Sequence, residues 1–475
     1  MGRRVLFAIS RRRWFVIAML VGAGLAAFPA PAGLSQAGWR VLAVTVVAVI
    51  LWVTEAVPMP AVAFVIAGGQ VLLVYPQQPD LVASSFMRDS VFFIMGSLML
   101  AVGIVTQRVD RRIALALIRI TGSGTTWIAL GVLTASAVVA SFIADHTVAA
   151  LMLPVALTLV AGSGEDEEGQ RRLARLLLLA VVYGCNIGGL GSPSGGVRNI
   201  IMMGHWENMF QVHLGYAEWI KWAFPMVLLQ IPGAFGILWL ATRPHPRQLA
   251  PAVAVLRAEV ASEGRMGTQE WAALGIFGAT VAAWVLVGDQ VGLGMIAVLG
   301  ATCYLVFGLV DWSHYNSGVN WGVVFVYAAA ISLGAAMDDT GAAEWVAAAM
   351  LSKLSAIGIT GGFALLTVLA VVTLFFTNVM SAAATVAVVG PILLKMAADA
   401  GLDPVVAGFV VAMAAAFGYI TTFAAPPNMI VYSSGQLRSD DYLRVGWVVT
   451  IMSLAALFVV AALYWPHLAS PAVAP

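Results

Sequence analysis

Apolar runs separated by short polar breaks cover most of the chain. They lie near 14–30, 38–57, 60–76, 90–106, 126–161, 174–204, 217–241, 268–287, 290–310, 321–337, 362–398, 404–435 and 444–465. A helix that crosses a bilayer needs about 20 mostly apolar residues, and most of these runs have that length. Two pairs do not fit simple spans. Runs 126–161 and 362–398 are too long, and runs 174–204 and 404–435 are full of helix breakers.

Composition fixes the solvent. Of 475 residues, 61% are hydrophobic and 10% charged, against about 25% charged in ordinary soluble proteins. Mean hydropathy is +0.94. One aqueous core cannot hide that much apolar surface, because cores stop growing near 250–300 residues. A soluble enzyme, a disordered chain and a fibrous repeat are therefore excluded. The net charge of +1 offers no basic field for nucleic acid. Cys185 and Cys303 sit apart in apolar runs and suggest neither a disulfide framework nor a metal site.

The polar breaks give an orientation. Basic groups lie at Arg3–Arg13, Arg108–Arg112, Arg171–Arg175 and Arg243–Arg265, and Lys and Arg mark the cytoplasmic side. The N-terminus and these loops are expected in the cytoplasm, with the protein in a bacterial inner membrane. The basic start followed by Trp14–Phe28 has the pattern of a signal peptide. With spanning segments following at once, it reads instead as a retained first membrane helix.

Two motifs recur in the same order. ADHTVAALMLPV ends near Pro154, and SAAATVAVVGPI near Pro391. Runs of small breakers then close on Asn199 and on Asn428. A duplication is expected: an N-terminal repeat over 1–241, a cytoplasmic linker over 242–267 and a C-terminal repeat over 268–475.

The repeated motifs interrupt helices inside apolar sequence. Gly188, Gly189, Gly191, Pro193, Gly195 and Gly196 cannot propagate a good helix, nor can Pro426 and Pro427. Irregular backbone at membrane depth survives only where it is buried in protein or lines a wet cavity. Broken helices in matching positions of two halves point to a transporter binding site. Half-helix N-termini suit an anion, and unwound carbonyls suit a cation such as Na⁺. The plainer reading is that these residues serve close packing or kinks.

Asp145, His146 and Arg198 are the exceptional ionisable residues. Charge at the bilayer centre costs about 2.5–3.5 kcal/mol on insertion scales, which makes such residues functional candidates. Asp145 can ligate Na⁺ or carry a proton, His146 can donate or titrate, and Arg198 can pair with a carboxylate or sulfate. Alternatively, Asp145 and Arg198 neutralise each other. Glu55 reads as a structural cap, and Asp338 and Asp339 mark a loop. Ser192 and Ser194 lack the spacing of a nucleophile elbow, which argues against an intramembrane hydrolase.

The sequence resembles the divalent anion/sodium symporter (DASS) family. The segments that carry the likeness are VTEAVPMPAVAF at 53–64, VFFIMGSLMLAVGIVTQRVDRRIALALI at 91–118, ADHTVAALMLPV at 144–155, GLGSPSGGVRN at 189–199, FTNVMSAAATVAVVGPILL at 376–394 and AAPPNMIVYSSG at 424–435. The resemblance implies an all-α polytopic membrane protein of two inverted repeats, with about eleven transmembrane helices and two re-entrant hairpins. The hairpins would be 126–161 and 362–398, with tips near 144–147 and 380–384. Runs 174–204 and 404–435 would be unwound mid-membrane. A homodimer and elevator-like movement are also implied.

Carried onto this chain, the family's substrate positions fall on His146, Thr147, Gly196, Arg198, Asn199, Ser381, Ala425 and Pro426. Its ion positions fall on Ser141, Ala144, Asp145, Gly195, Thr377, Met380, Ser381 and Ala424. The family's Ser-Asn-Thr tips are replaced by Ala144-Asp145-His146 and Ser381-Ala382-Ala383. The function implied is secondary transport of a small dianion, by default a C4-dicarboxylate, coupled to Na⁺ and without another cofactor. The alternative is an H⁺-coupled or uncoupled exchanger of sulfate, citrate or another oxyanion.

Overall fold

The computed structural model describes residues 2–54, 56–109, 112, 122–243, 246, 248–262 and 265–468, and among them the chain is helical. Among the described residues, eight helical stretches are long and apolar enough to cross a membrane. They are Gln36–Thr54, Pro79–Thr106, Tyr216–Ala241, Thr268–Val291, Trp321–Asp339, Gly362–Val379, Ala382–Asp399 and Ser439–His467. Six shorter apolar helices accompany them, Thr125–Ala140 and Asp145–Ala161 included. Burial sorts them into centre and periphery: Trp321–Asp339 is buried along 72% of its apolar window and Thr268–Val291 along 22%. The latter leaves Trp271 and Leu286 exposed, as lipid-facing side chains must be.

Small residues set the closest approaches. Helix Asp89–Thr106 packs along Leu293–Val306. A Cβ at Gly96 would lie 2.5 Å from the Ala297 side chain and 2.6 Å from its backbone. Without a strong hydrophobic drive between helices in lipid, such contacts supply much of the association. Gly96→Val should therefore push the two helices apart and cost about 1–3 kcal/mol, the usual range for overpacking. A thermal-unfolding scan in detergent checks this, and an unchanged midpoint would refute it.

The two long runs are helical hairpins. The first has arms Thr125–Ala140 and Asp145–Ala161, broken at 141–144. The second has arms Gly362–Val379 and Ala382–Asp399, broken at 380–381. The first break falls just before the expected tip, so Asp145, His146 and Thr147 form the first turn of the return arm. Pro154 and Pro391 each occupy the tenth position of their return arm.

The breaker-rich runs are interrupted helices. Glu167–Gly188 stops, a 3₁₀ turn at Pro193–Gly195 follows, and Val197–Phe210 resumes. Pro404–Ala415 stops and Pro426–Tyr432 resumes. The halves exchange these pieces. Val197–Phe210 packs on the return arm of the second hairpin, and Pro426–Tyr432 on that of the first.

Two expectations change. Asp338 and Asp339 close the helix Trp321–Asp339 instead of lying in a loop. The segment 242–267 is more than a connector. It contains the helix Ala250–Ser262, which packs on Asp145–Ala161, because alanines, the best helix formers, recur along it. Glu55 lies outside the described residues, as do Asp110, Arg111 and 113–121. Arg112 pairs with Glu270, and Leu249 N–H donates to Ser123 O at 2.8 Å. The loops near Arg108–Arg112, Ser123 and the 242–267 segment thus meet at one face.

Candidate functional site

Asp145 starts the return arm of the first hairpin, and Arg198 is the second residue of Val197–Phe210. Both are buried, at 5% and 4% exposure. Arg198 Nη1 donates to Asp145 Oδ2 at 3.2 Å, and Nη2 to Asn186 O at 3.4 Å. Arg198 Nε has no hydrogen-bond partner. The neutralising pair is therefore formed. Gly189 makes room for it: a Cβ there would sit 2.7 Å from Arg198 Nη2 and 3.1 Å from Asp145 Oδ2. Asp145 Oδ1 accepts from its neighbour's backbone, His146 N–H, at 2.7 Å. The His146 ring lies 3.6 Å from the same oxygen and is part-exposed.

Each helix break is held open by an asparagine. Asn199 Nδ2 donates to Gly189 O and Ser192 O, both at 2.8 Å. Asn428 Nδ2 donates to Gly418 O at 2.7 Å and Thr421 O at 2.8 Å. In both cases the acceptors lie 10 and 7 residues upstream. These bonds satisfy carbonyls that the broken helix leaves orphaned. Asn428 Oδ1 also accepts from Asn186 Nδ2 at 2.8 Å, whereas Asn199 Oδ1 has no partner. A continuous path Asp145–Arg198–Asn186–Asn428 thus links the first hairpin tip to the second broken helix.

The remaining predicted positions sit on the same framework. Ser141 O accepts from Ser192 Oγ, and its own Oγ donates to Ala137 O at 2.9 Å. Ala144 caps the return arm without a side-chain bond. A Cβ at Gly195 would be 2.6 Å from Ala140 O, and one at Gly196 2.7 Å from Gly189 O and 3.0 Å from Arg198 Cζ. Gly195 allows the break to press against the hairpin tip, and Gly196 leaves room for Arg198 and Gly189 O within the break. In the second half, Ala382 N–H donates to Ala424 O at 3.1 Å, tying hairpin to break. Ser381 caps the return arm by accepting from Ala384 N–H at 3.3 Å. Met380 N–H closes the outgoing arm on Phe376 O at 2.7 Å. Ala425 caps Pro426–Tyr432, which Pro426 opens. Thr377 is fully buried, and its Oγ1 has no partner.

Sequence reasoning missed several participants. Asn186 is a polar residue inside an apolar run, a signal that could have singled it out. Ser194 Oγ donates to Phe142 O at 3.0 Å, and Tyr216 Oη bonds both Ser192 Oγ (3.0 Å) and Ser194 Oγ (2.8 Å). These serines latch the hairpin tip to the break and hold no base as a partner.

Two cavities reach these elements from opposite ends of Asp89–Thr106, which are roughly 25 Å apart at 1.5 Å per residue. One, of about 330 Å³, is lined by Val105, Thr106, Arg108, Thr147, Ala150, Leu151 and Pro154. The other, of about 500 Å³, includes Asp89, Ile200, Met203, Glu207, Glu218 and Asp289. The first, with Arg108 in its lining, opens on the hairpin at Thr147, and the second, rich in carboxylates, on Val197–Phe210.

The chain is similar to the sodium-dependent dicarboxylate transporter SdcS of Staphylococcus saprophyticus, 25% identical over 460 residues, covering 90% of this chain and 86% of that one. The SdcS of Staphylococcus aureus strain USA300 is 24% identical over 468 residues, covering 92% and 87%. Among solved structures, the fold is similar to that of the Alcanivorax borkumensis YdaH transporter. The TM-score is 0.53 at 13% identity, over 83% of this chain and 89% of that one. The profile described as sodium:sulfate symporter transmembrane region matches residues 11–470, so two broken helices, two hairpins and nearly the full sequence agree that the chain belongs to that family of membrane transporters.

Proposed function

We propose that this protein is a Na⁺-coupled secondary transporter of small dianions, with C4-dicarboxylates as the default substrate. The observation that carries the reading is the pair of helix interruptions, each held open by an asparagine at the same offsets and each pressed by a hairpin tip. The relatives named as sodium-dependent dicarboxylate transporters support both the ion and the substrate class.

The dianion would be held between the two breaks. The N-terminus of Val197–Phe210 would present its first N–H groups and about half a positive charge. Arg198, with Nε free, adds charge-assisted donors. His146, Thr147, Gly196, Asn199, Ser381, Ala425 and Pro426 would line the pocket. The two equivalent interruptions support division into repeats over 1–241 and 268–475. We further propose a homodimer in the bacterial inner membrane, the N-terminus in the cytoplasm, with the hairpins and breaks moving together against the remaining helices. The elements tied by Asp145–Arg198, Ala382–Ala424 and Asn186–Asn428 suit movement as one body, because such links hold them in one arrangement.

Uptake of labelled succinate into proteoliposomes tests the reading. An imposed inward Na⁺ gradient should drive accumulation, with sulfate and citrate as competing substrates. Counterflow that persists without any gradient, together with no response to Na⁺, would replace it with an uncoupled exchanger.

A further inference from the structure

The two halves of the site differ in one respect that bears on ion coupling. In the first half, the oxygens expected to hold an ion are already engaged. Asp145 Oδ2 takes Arg198 Nη1, Asp145 Oδ1 takes His146 N–H, and Ser141 O takes Ser192 Oγ. A guanidinium stands among them. It already neutralises the Asp145 carboxylate, so no net negative charge is left there to attract a second cation. These residues do not fit a free Na⁺.

The second half is the converse. Residues 362–394 and 404–437 contain no Asp, Glu, Lys, Arg or His. They do hold buried oxygens without hydrogen-bond partners, Thr377 Oγ1 and Thr421 Oγ1. The Thr377 methyl lies against Gly418, whose carbonyl shares the Asn428 clamp with that of Thr421. Neutral oxygen donors in unwound backbone suit Na⁺.

We propose that Arg198 is a tethered cation that takes the place of one coupling ion, so that each dianion travels with a single Na⁺ held in the second half. This rests on the transport reading above. Asp145 and Arg198 cancel each other and stay with the protein, so they carry no net charge through the cycle. A dianion and one Na⁺ then move a net charge of −1. An inside-positive potential should speed uptake, and an inside-negative one should slow it.

Binding linkage supplies the test. Succinate affinity of the detergent-purified protein is measured by calorimetry across a Na⁺ series, with choline keeping ionic strength constant. One linked ion tightens Kd about tenfold per tenfold rise in Na⁺, and two ions about a hundredfold. The expected result is about tenfold, falling towards no dependence in Thr377→Val. A hundredfold dependence, or none at all, overturns the proposal while leaving dianion binding intact. Absence of succinate, sulfate and citrate binding overturns the functional reading itself. A second measurement uses Arg198→Gln, which leaves Asp145 without its cation. Its thermal midpoint should rise with Na⁺ more steeply than that of the unaltered protein. Equal Na⁺ dependence of the two midpoints would count against a guanidinium standing where an ion would sit.

Discussion

Arg198→Ala is expected to cost about 3–5 kcal/mol of stability, because it strands a buried carboxylate, and to abolish succinate-linked stabilisation. Asp145 is buried, and among the described residues its side chain faces, besides Arg198, only the part-exposed His146 ring. The informative comparison is the double variant Asp145→Asn/Arg198→Gln. It removes both charges while keeping similar volume and hydrogen-bonding groups. Replacing a buried ion pair outright is often close to neutral, so the double variant should recover most of the lost stability. It should not recover anion binding, since the donor charge is gone. Unfolding in detergent, with and without succinate, reads both quantities. If the single variant proves as stable as the unaltered protein, the pair is not the internal tie described here.

The second large effect is expected at Asn428. Asn428→Ala leaves Gly418 O, Thr421 O and Asn186 Nδ2 unpaired inside the protein. Each buried orphan costs about 1–3 kcal/mol. Asn199→Ala strands only Gly189 O and Ser192 O, so its loss should be smaller. The order matters more than either value, because the two residues do the same work in matching breaks and differ by one partner. Thermal unfolding of both variants side by side checks it. An Asn199→Ala effect equal to or larger than that of Asn428→Ala would mean that the Asn186 bond contributes nothing.

Much of the site could be read in the sequence, for identifiable reasons. The Gly and Pro run at 188–196 could not remain helical, and the backbone breaks there, whereas Pro426 and Pro427 do not break a helix but open the one that follows the second break. Pro154 and Pro391 marked equivalent places in two hairpins. Asp145 and Arg198 stood out because charge is rare in apolar runs. The roles of Asn199 and Asn428 were not legible. Both close the breaker runs, but nothing local says that their amides reach back to carbonyls 10 and 7 residues upstream. Ser192 and Ser194 carried no signal of their latch to Tyr216 and the hairpin tip. The helix Ala250–Ser262 was hidden by the charged and proline-rich residues around it.

By itself the sequence determined the solvent, the places where helices stop, and which charges enter the apolar interior. These follow from local composition: burial cost, missing N–H groups and absent side chains act on a residue wherever the chain goes. Only the tertiary structure decided which groups meet. Arg198 and Asp145 are 53 residues apart, and Asn186 and Asn428 are 242 apart. The first contact depends on the space Gly189 leaves for both side chains and on the close approach of Gly195 to Ala140. That approach is set by the packing of whole helices against one another, a property no single stretch of sequence carries.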